Sequence, residues 1–108
     1  MYITKIYLLS MRILPKLVVF EWDKGNIDKN LKRHGVSNRE VEEIFANKPR
    51  FIFDDERHSL GEKRYMIWGI TNKGRRLTIF FTVRGEKVRI ISARDMHKKE
   101  RAAYEEKI

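Results

Sequence analysis

Two hydrophobic periods divide this chain. Before Pro49 apolar residues recur at helical spacing, and from Phe51 onward they alternate in twos. Val18, Val19, Phe20 and Trp22 read as a short strand that ends at Asp23, a residue type whose carboxylate caps a helix by accepting amide protons of its first turn. The helix is predicted over residues 24–34, with Ile27 and Leu31 at i, i+4 spacing and Gly35 as the left-handed stop. A second helix follows at once. Ser37 and Glu40 have the capping-box spacing, Val41, Ile44 and Phe45 share one apolar face, and Lys48-Pro49 ends the element.

The second half is built differently. Residues 51–53, 64–71, 76–84 and 87–94 are rich in β-branched and aromatic types, and Asn72-Lys73-Gly74 and Gly85-Glu86 supply turns between them. In the segment 76–84, Leu77, Ile79, Phe81 and Val83 fall on one face; Arg76, Thr78, Phe80, Thr82 and Arg84 fall on the other. A charged helix over residues 96–107, with Ala102, Ala103 and Tyr104 as its apolar content, closes the chain. The expected order is β-α-α-β-β-β-β-α, an α+β domain with a mostly antiparallel sheet.

Composition narrows the class. At 108 residues and 13.0 kDa the chain is expected to form a single domain, and 42% hydrophobic residues with 11% aromatic are enough for a core. Cysteine is absent, which removes disulfides, thiolate metal sites and a cysteine nucleophile and makes a reducing cytoplasm the simplest compartment. The N-terminal segment is apolar, but Lys5, Arg12, Pro15 and Lys16 interrupt it. Its longest uncharged run, residues 6–11, is too short for a membrane span or a signal-peptide core.

The net charge of +9 is unevenly placed. Residues 1–56 carry ten Lys/Arg against nine Asp/Glu, whereas residues 57–108 carry fourteen against six. A domain with one strongly basic half has an electrostatic reason to meet a polyanion, nucleic acid first among them. The plain alternative is a solvated basic surface that aids solubility, and charge alone does not separate the two.

Several chemistries find no support. His34, His58 and His97 stand in separate segments without metal-ligand spacing, and Asp54-Asp55-Glu56 at a strand end reads as a solvated turn before a magnesium site. No glycine-rich loop opens a helix, and Ser59 and Ser92 lack a nucleophile turn. What recurs is arginine at strand ends. Arg64 begins one strand, Arg84 ends the next and Arg94 ends the last; sequential pairing puts Arg64 and Arg84 near one edge and Arg94 at the opposite end from Arg84. Guanidinium groups grip phosphate in a fixed fork and stabilise charge that develops on phosphorus. RNA cleavage needs little more, because the substrate brings its own 2′-hydroxyl nucleophile and the protein must move two protons. His58, His34, Glu62 and Lys63 are the candidate carriers. Each also has a structural reading, such as a surface histidine or a Glu62–Arg64 ion pair across the face. Trp22 and Trp68 are expected in the core rather than as base-stacking platforms.

The ordered motifs carry a resemblance. Phe20-Glu21-Trp22-Asp23, Asn30, Arg33-His34-Gly35-Val36, Asp55, His58-Ser59, Glu62, Arg64, Thr82-Val83-Arg84-Gly85, Arg89-Ile90-Ile91-Ser92-Ala93-Arg94 and Lys99-Glu100-Arg101 with Tyr104 follow one another at fitting spacings. Over most of its length the chain resembles the BrnT ribonuclease toxins of bacterial type II toxin–antitoxin systems. That resemblance implies a RelE-like fold and an endoribonuclease that cuts RNA without a metal or cofactor and arrests growth. It also implies a BrnA-type antitoxin, a hetero-oligomer with it, and contact with operator DNA only through that antitoxin. Carried onto this chain, the catalytic set is His58 and Glu62 as acid and base in unassigned order, with Arg64, Arg84 and Arg94 on phosphate. Arg33, His34, Lys63 and Arg89 are the further candidates for RNA contact, His34 having the alternative role of closing the first helix at its negative dipole end. Two departures stand out. The family's Lys-His-Gly is Arg33-His34-Gly35 here, which keeps the charge without a proton-donating lysine. Residues 1–17 precede the family's usual start, as an added strand or as an upstream start with Met11 nearer the native beginning. The other reading is a basic RNA- or DNA-binding module, or a toxin homologue without catalysis, acting with a DNA-binding partner. The partner's surface is expected at residues 3–14 or at Phe80.

Overall fold

A computed structural model of the chain describes Leu14, residues 18–55 and residues 61–108. The expectations for His58 and Ser59, and for most of residues 1–17, lie outside the described residues. Five strands form one sheet: β1 (Val19–Phe20), β2 (Phe51–Asp54), β3 (Tyr65–Ile70), β4 (Arg76–Arg84) and β5 (Lys87–Asp95). Their spatial order is β1-β5-β4-β3-β2, antiparallel throughout except that β1 runs parallel to β5. Three helices accompany them: α1 (Lys29–His34), α2 (Asn38–Ala46) and α3 (Lys98–Lys107). The α+β class and the mostly antiparallel sheet are as the alternation predicts.

β4 carries the alternation most clearly. Leu77, Ile79 and Phe81 are fully buried on the face that meets α2, where Val41, Ile44 and Phe45 pack against them, Ile52 and Ile67. The capping box that starts α2 is formed: Ser37 Oγ accepts the Glu40 amide at 3.1 Å, and Glu40 Oε1 accepts the Ser37 amide at 3.0 Å. The β4–β5 turn is the two-residue Gly85-Glu86, and Gly85 has the left-handed φ of 61° that such a tight turn needs at its first position.

The first helix is shorter than its periodicity suggested. Residues 24–28 form turns, and α1 begins only at Lys29, after Asp28 at a φ of 60°. Local side-chain bonds compete with the helix here. Asp23 Oδ1 accepts the Gly25 amide at 2.8 Å and the Asn26 amide at 3.2 Å, while Asn26 Oδ1 accepts the Asp23 amide at 2.7 Å. Asp23 therefore caps a turn, and Ile27 and Leu31 are left 46% and 50% exposed instead of facing the core. Polar anchors do the docking. Asn26 Nδ2 donates to Glu21 O at 3.0 Å, and Asn30 Oδ1 accepts the Ala93 amide at 3.0 Å.

A second, smaller apolar cluster lies on the opposite, outer face. It joins Phe51, Trp68, Met96 and Tyr104, and the Tyr104 hydroxyl donates to Pro49 O at 2.6 Å. α3 thus covers one end of the outer face, that of Phe51, Trp68 and Thr78, and leaves the rest to polar and half-buried residues. Trp22 and Trp68 are both core-associated, as expected.

Gly69 shows how tightly α2 sits on the sheet. A Cβ added there meets Ile44 Cγ2 at 2.7 Å and Ile44 O at 3.3 Å, the second a backbone atom on a packed helix. Gly69→Ala is expected to destabilise the fold by about 1–3 kcal/mol, read as a lower midpoint of denaturant unfolding. An unchanged midpoint contradicts this packing.

Candidate active site

The outer face gathers most of the candidate residues. Because side chains alternate along each strand, Arg84, Thr82 and Phe80 of β4 stand on it beside Arg89, Ser92 and Arg94 of β5. Arg89 pairs with Thr82, Ser92 with Phe80 and Arg94 with Thr78. A bulge re-aims this row: Phe80 and Phe81 face Ser92 and Ile90, so Ile91 is the extra residue, and Lys29 Nζ donates to its carbonyl.

The Arg84 end is a network of ions. Arg84 grips Glu62 with a two-toothed fork, Nε to Oε2 at 2.7 Å and Nη2 to Oε1 at 3.0 Å. Glu21 lies between the two arginines, 3.6 Å from Arg84 Nη1 and 3.1 Å from Arg89 Nη1, and Arg89 also donates to Asp23 Oδ2. The parallel pairing of β1 with β5, Phe20 against Val88, carries Glu21 and Asp23 to Arg89. The hydrogen bonds from Arg84 hold the Glu62 carboxyl below the usual carboxylate range, and those from Arg89 do the same for Asp23. Arg84 remains half exposed.

Arg94 and Arg64 occupy the middle of the face. Arg94 donates to Glu100 of α3 through Nη1 at 2.7 Å and Nη2 at 3.1 Å; Thr78 Oγ1 and the His97 amide also donate to Glu100 Oε1, at 3.2 and 2.8 Å. Burial works to raise the Glu100 carboxyl, but the bonds from Arg94 and the His97 amide prevail and hold it below its usual value. Arg64 Nε lies 3.7 Å from Asp55 Oδ2. Both guanidinium groups stand over the ring of Phe80, Arg64 at 5.9 Å and Arg94 at 5.7 Å from its centroid.

Other candidates are elsewhere. Lys63 pairs with Asp54 at 3.6 Å and lies over Tyr65, whose ring packs on Phe81 of the α2 face, so it is apart from Arg64. Arg33 and His34 are exposed at the end of α1. There Arg75 ties the helix end to β5: it donates to Gly35 O at 2.8 Å and bonds Asp95 at 2.7 and 3.0 Å. Asp95 pairs with Leu77, at the opposite end of β4 from Arg84. A cavity of about 460 Å³ between α2 and the β3–β4 turn, lined by Glu40, Glu43 and Asn72, touches none of the candidates. Among the described residues, no cluster of three or more histidine and carboxylate side chains is arranged to hold a metal.

The face therefore unites Glu62, Arg64, Arg84, Arg89 and Arg94 and leaves out Lys63, Arg33 and His34. Glu21, Asp23 and Glu100 are the additions. All three stand in the recognised motifs, but only the chain's third dimension brings them against arginines.

Fold and face define a small basic α+β domain that presents arginines on an exposed sheet surface. The chain belongs to the family of ribonuclease toxins, BrnT, of type II toxin–antitoxin systems, whose pattern matches residues 22–100. Membership makes it a ribonuclease toxin, with RNA as its substrate and an antitoxin as its partner. No curated protein matches the chain. No helix among the described residues is long and apolar enough to cross a membrane.

The Glu62–Arg84 fork has a readable signature. A depressed folded pKa contributes stability that is fully present above the ordinary glutamate range and is lost as pH falls through the depressed value. In a carbon-detected NMR titration Glu62 is expected to have its midpoint below that of a free glutamate, and Arg84→Ala to raise it. A midpoint indifferent to Arg84→Ala contradicts the fork.

Proposed function

We propose that this toxin is a metal-independent endoribonuclease, RelE-like in fold, whose active site is the half of the outer sheet face that α3 does not cover. The Glu62–Arg84 fork beside Arg89 is the observation that supports this reading most. It puts a carboxylate and a phosphate-binding group in contact on an exposed surface. In the reaction, the 2′-oxygen attacks the adjacent phosphorus, the bond to the 5′-oxygen breaks, and a 2′,3′-cyclic phosphate remains. One group takes the 2′ proton and another gives a proton to the leaving oxygen. Glu62, ionised at neutral pH, is suited to the first task, and His58 is left as the donor.

The fork also sets a sequence of events. While Arg84 grips it, Glu62 is a poor base. A substrate phosphate that draws the guanidinium away releases the carboxylate and raises its affinity for a proton as RNA arrives. Arg64, Arg84 and Arg94 then neutralise the charge that grows on the phosphoryl oxygens, with Arg89 on the neighbouring backbone. Arg33, His34 and Lys63 act, in this reading, as outlying contacts along the RNA. The antitoxin is of the BrnA type, and the complex of the two chains reaches operator DNA only through it. Action in the cytoplasm follows from the substrate and the partner.

The same fork gives weight to a second reading, a binding module without turnover, because at rest the carboxylate is tied up by Arg84. Labelled RNA incubated in EDTA with antitoxin-free protein separates the two. Cleavage leaving cyclic phosphate ends is expected, with a fall of about a hundredfold or more in Glu62→Gln and in Arg84→Ala. Binding without cleavage favours the module, and undiminished cleavage by both variants removes the mechanism.

A further inference from the structure

The ring of Phe80 is an unusual occupant of the outer face. It is half-buried at the centre of the sheet, between Met66 on β3 and Ser92 on β5, and among the described residues it belongs to neither apolar cluster. The core does not need it, since β4 already buries Leu77, Ile79 and Phe81 on the other side. α3 reaches the sheet beside it, at Thr78, through Glu100. Yet its position is held with some care. The bulge falls between Phe80 and Phe81, and two guanidinium groups stand over the ring, each set by a carboxylate: Glu100 for Arg94, Asp55 for Arg64.

We infer that Phe80 is the platform on which a nucleobase of single-stranded RNA stacks, with Arg64 and Arg94 on the phosphates that flank it. This rests on the ribonuclease reading and adds to it a binding subsite and the part of the substrate that the subsite holds. An aromatic face accepts any base without regard to sequence, and arginines beside it suit the negative charge on either side of that base. At 5.7 and 5.9 Å the two cations lie near the outer limit of contact with the ring. A base displaces these weak ring contacts, while Glu100 and Asp55 keep the two guanidinium groups beside the ring and facing the flanking phosphates. A protein partner fits this spot less well. The ring has Met66 on one side, but Arg64, Arg94, Ser92 and Thr82 border the rest of it with polar groups and positive charge. The subsite also orders the RNA along the sheet: a base at Phe80 places the adjoining backbone on β4 and β5 toward Thr82, Arg89 and the Arg84–Glu62 fork.

The test uses a fluorescent oligonucleotide with 2′-O-methyl ribose throughout, which has no free 2′-hydroxyl and is not cleaved. Its affinity is measured for the wild type, Phe80→Leu and Phe80→Trp, with unfolding midpoints confirming that each variant is folded. Phe80→Leu keeps apolar volume and loses the aromatic face, and is expected to bind roughly tenfold more weakly. Phe80→Trp is expected to bind at least as well as the wild type. With an abasic oligonucleotide of the same length, the wild type and Phe80→Leu are expected to be equal. Equal affinity of Phe80→Leu and wild type for the base-bearing oligonucleotide overturns the platform, as does a leucine defect that persists without bases. Cleavage of ordinary RNA by the wild type is scored separately. Cleavage with no Phe80 effect on binding removes the platform alone; a Phe80 effect without cleavage keeps the platform and removes the ribonuclease reading. A wild type that binds no oligonucleotide overturns both.

Discussion

A β-strand gives alternate residues to opposite faces, and the central strand β4 divides its labour along that line. Leu77, Ile79 and Phe81 close the core under α2, while Thr78, Phe80, Thr82 and Arg84 look the other way. Neither set shifts without the other, because a slip of one residue exchanges the faces. Packing of Ile44 of α2 against Gly69 of β3 fixes the sheet from behind and thereby fixes the arginine row in front. Arg84, Arg89 and Arg94 are held on strands, while Glu62 and Arg64 come from the segment just before β3.

Charge is managed on the same surface. The chain carries a net +9, yet the four arginines of the outer face each have a carboxylate within reach: Arg64 with Asp55, Arg84 with Glu62, Arg89 with Asp23 and Glu21, Arg94 with Glu100. Such pairs keep like charges from splaying apart and hold the guanidinium planes in position. They also set a threshold. In the proposed mechanism RNA phosphate competes with carboxylates already in place, and exposed pairs such as Glu62–Arg84 yield more readily than the partly buried Arg94–Glu100. On that proposal, Arg84 lets go of its carboxylate on binding and Arg94 stays to position the chain.

Much of this was readable from residue order. The period-2 pattern of β4, the capping box at Ser37 and Glu40, and arginines at strand ends depend on neighbours within a few residues, so local rules reach them. The start of α1 was not. Asp23 and Asn26 fold into a turn by bonding each other's backbone, and helical spacing at Ile27 and Leu31 gives no hint of it. Nor was the parallel pairing of β1 with β5, which brings Glu21 and Asp23 to Arg89 across more than sixty positions. Glu100 was visible in a motif, but its hold on Arg94 depends on where α3 crosses the sheet. Motif recognition named the candidate residues; their division between the two faces and the two ends of the sheet needed the fold.

The most direct test of this account is to watch arginine side chains as RNA binds. The uncleavable 2′-O-methyl oligonucleotide is titrated into isotopically labelled protein, and the Nε–H resonances are followed by NMR. The account predicts shifts at Arg64, Arg84, Arg89 and Arg94, while Arg75, locked between Glu40 and Asp95 on the far side, stays in place. Shifts confined to Arg33, Arg39 or Arg75, with the outer-face arginines unmoved, would contradict it.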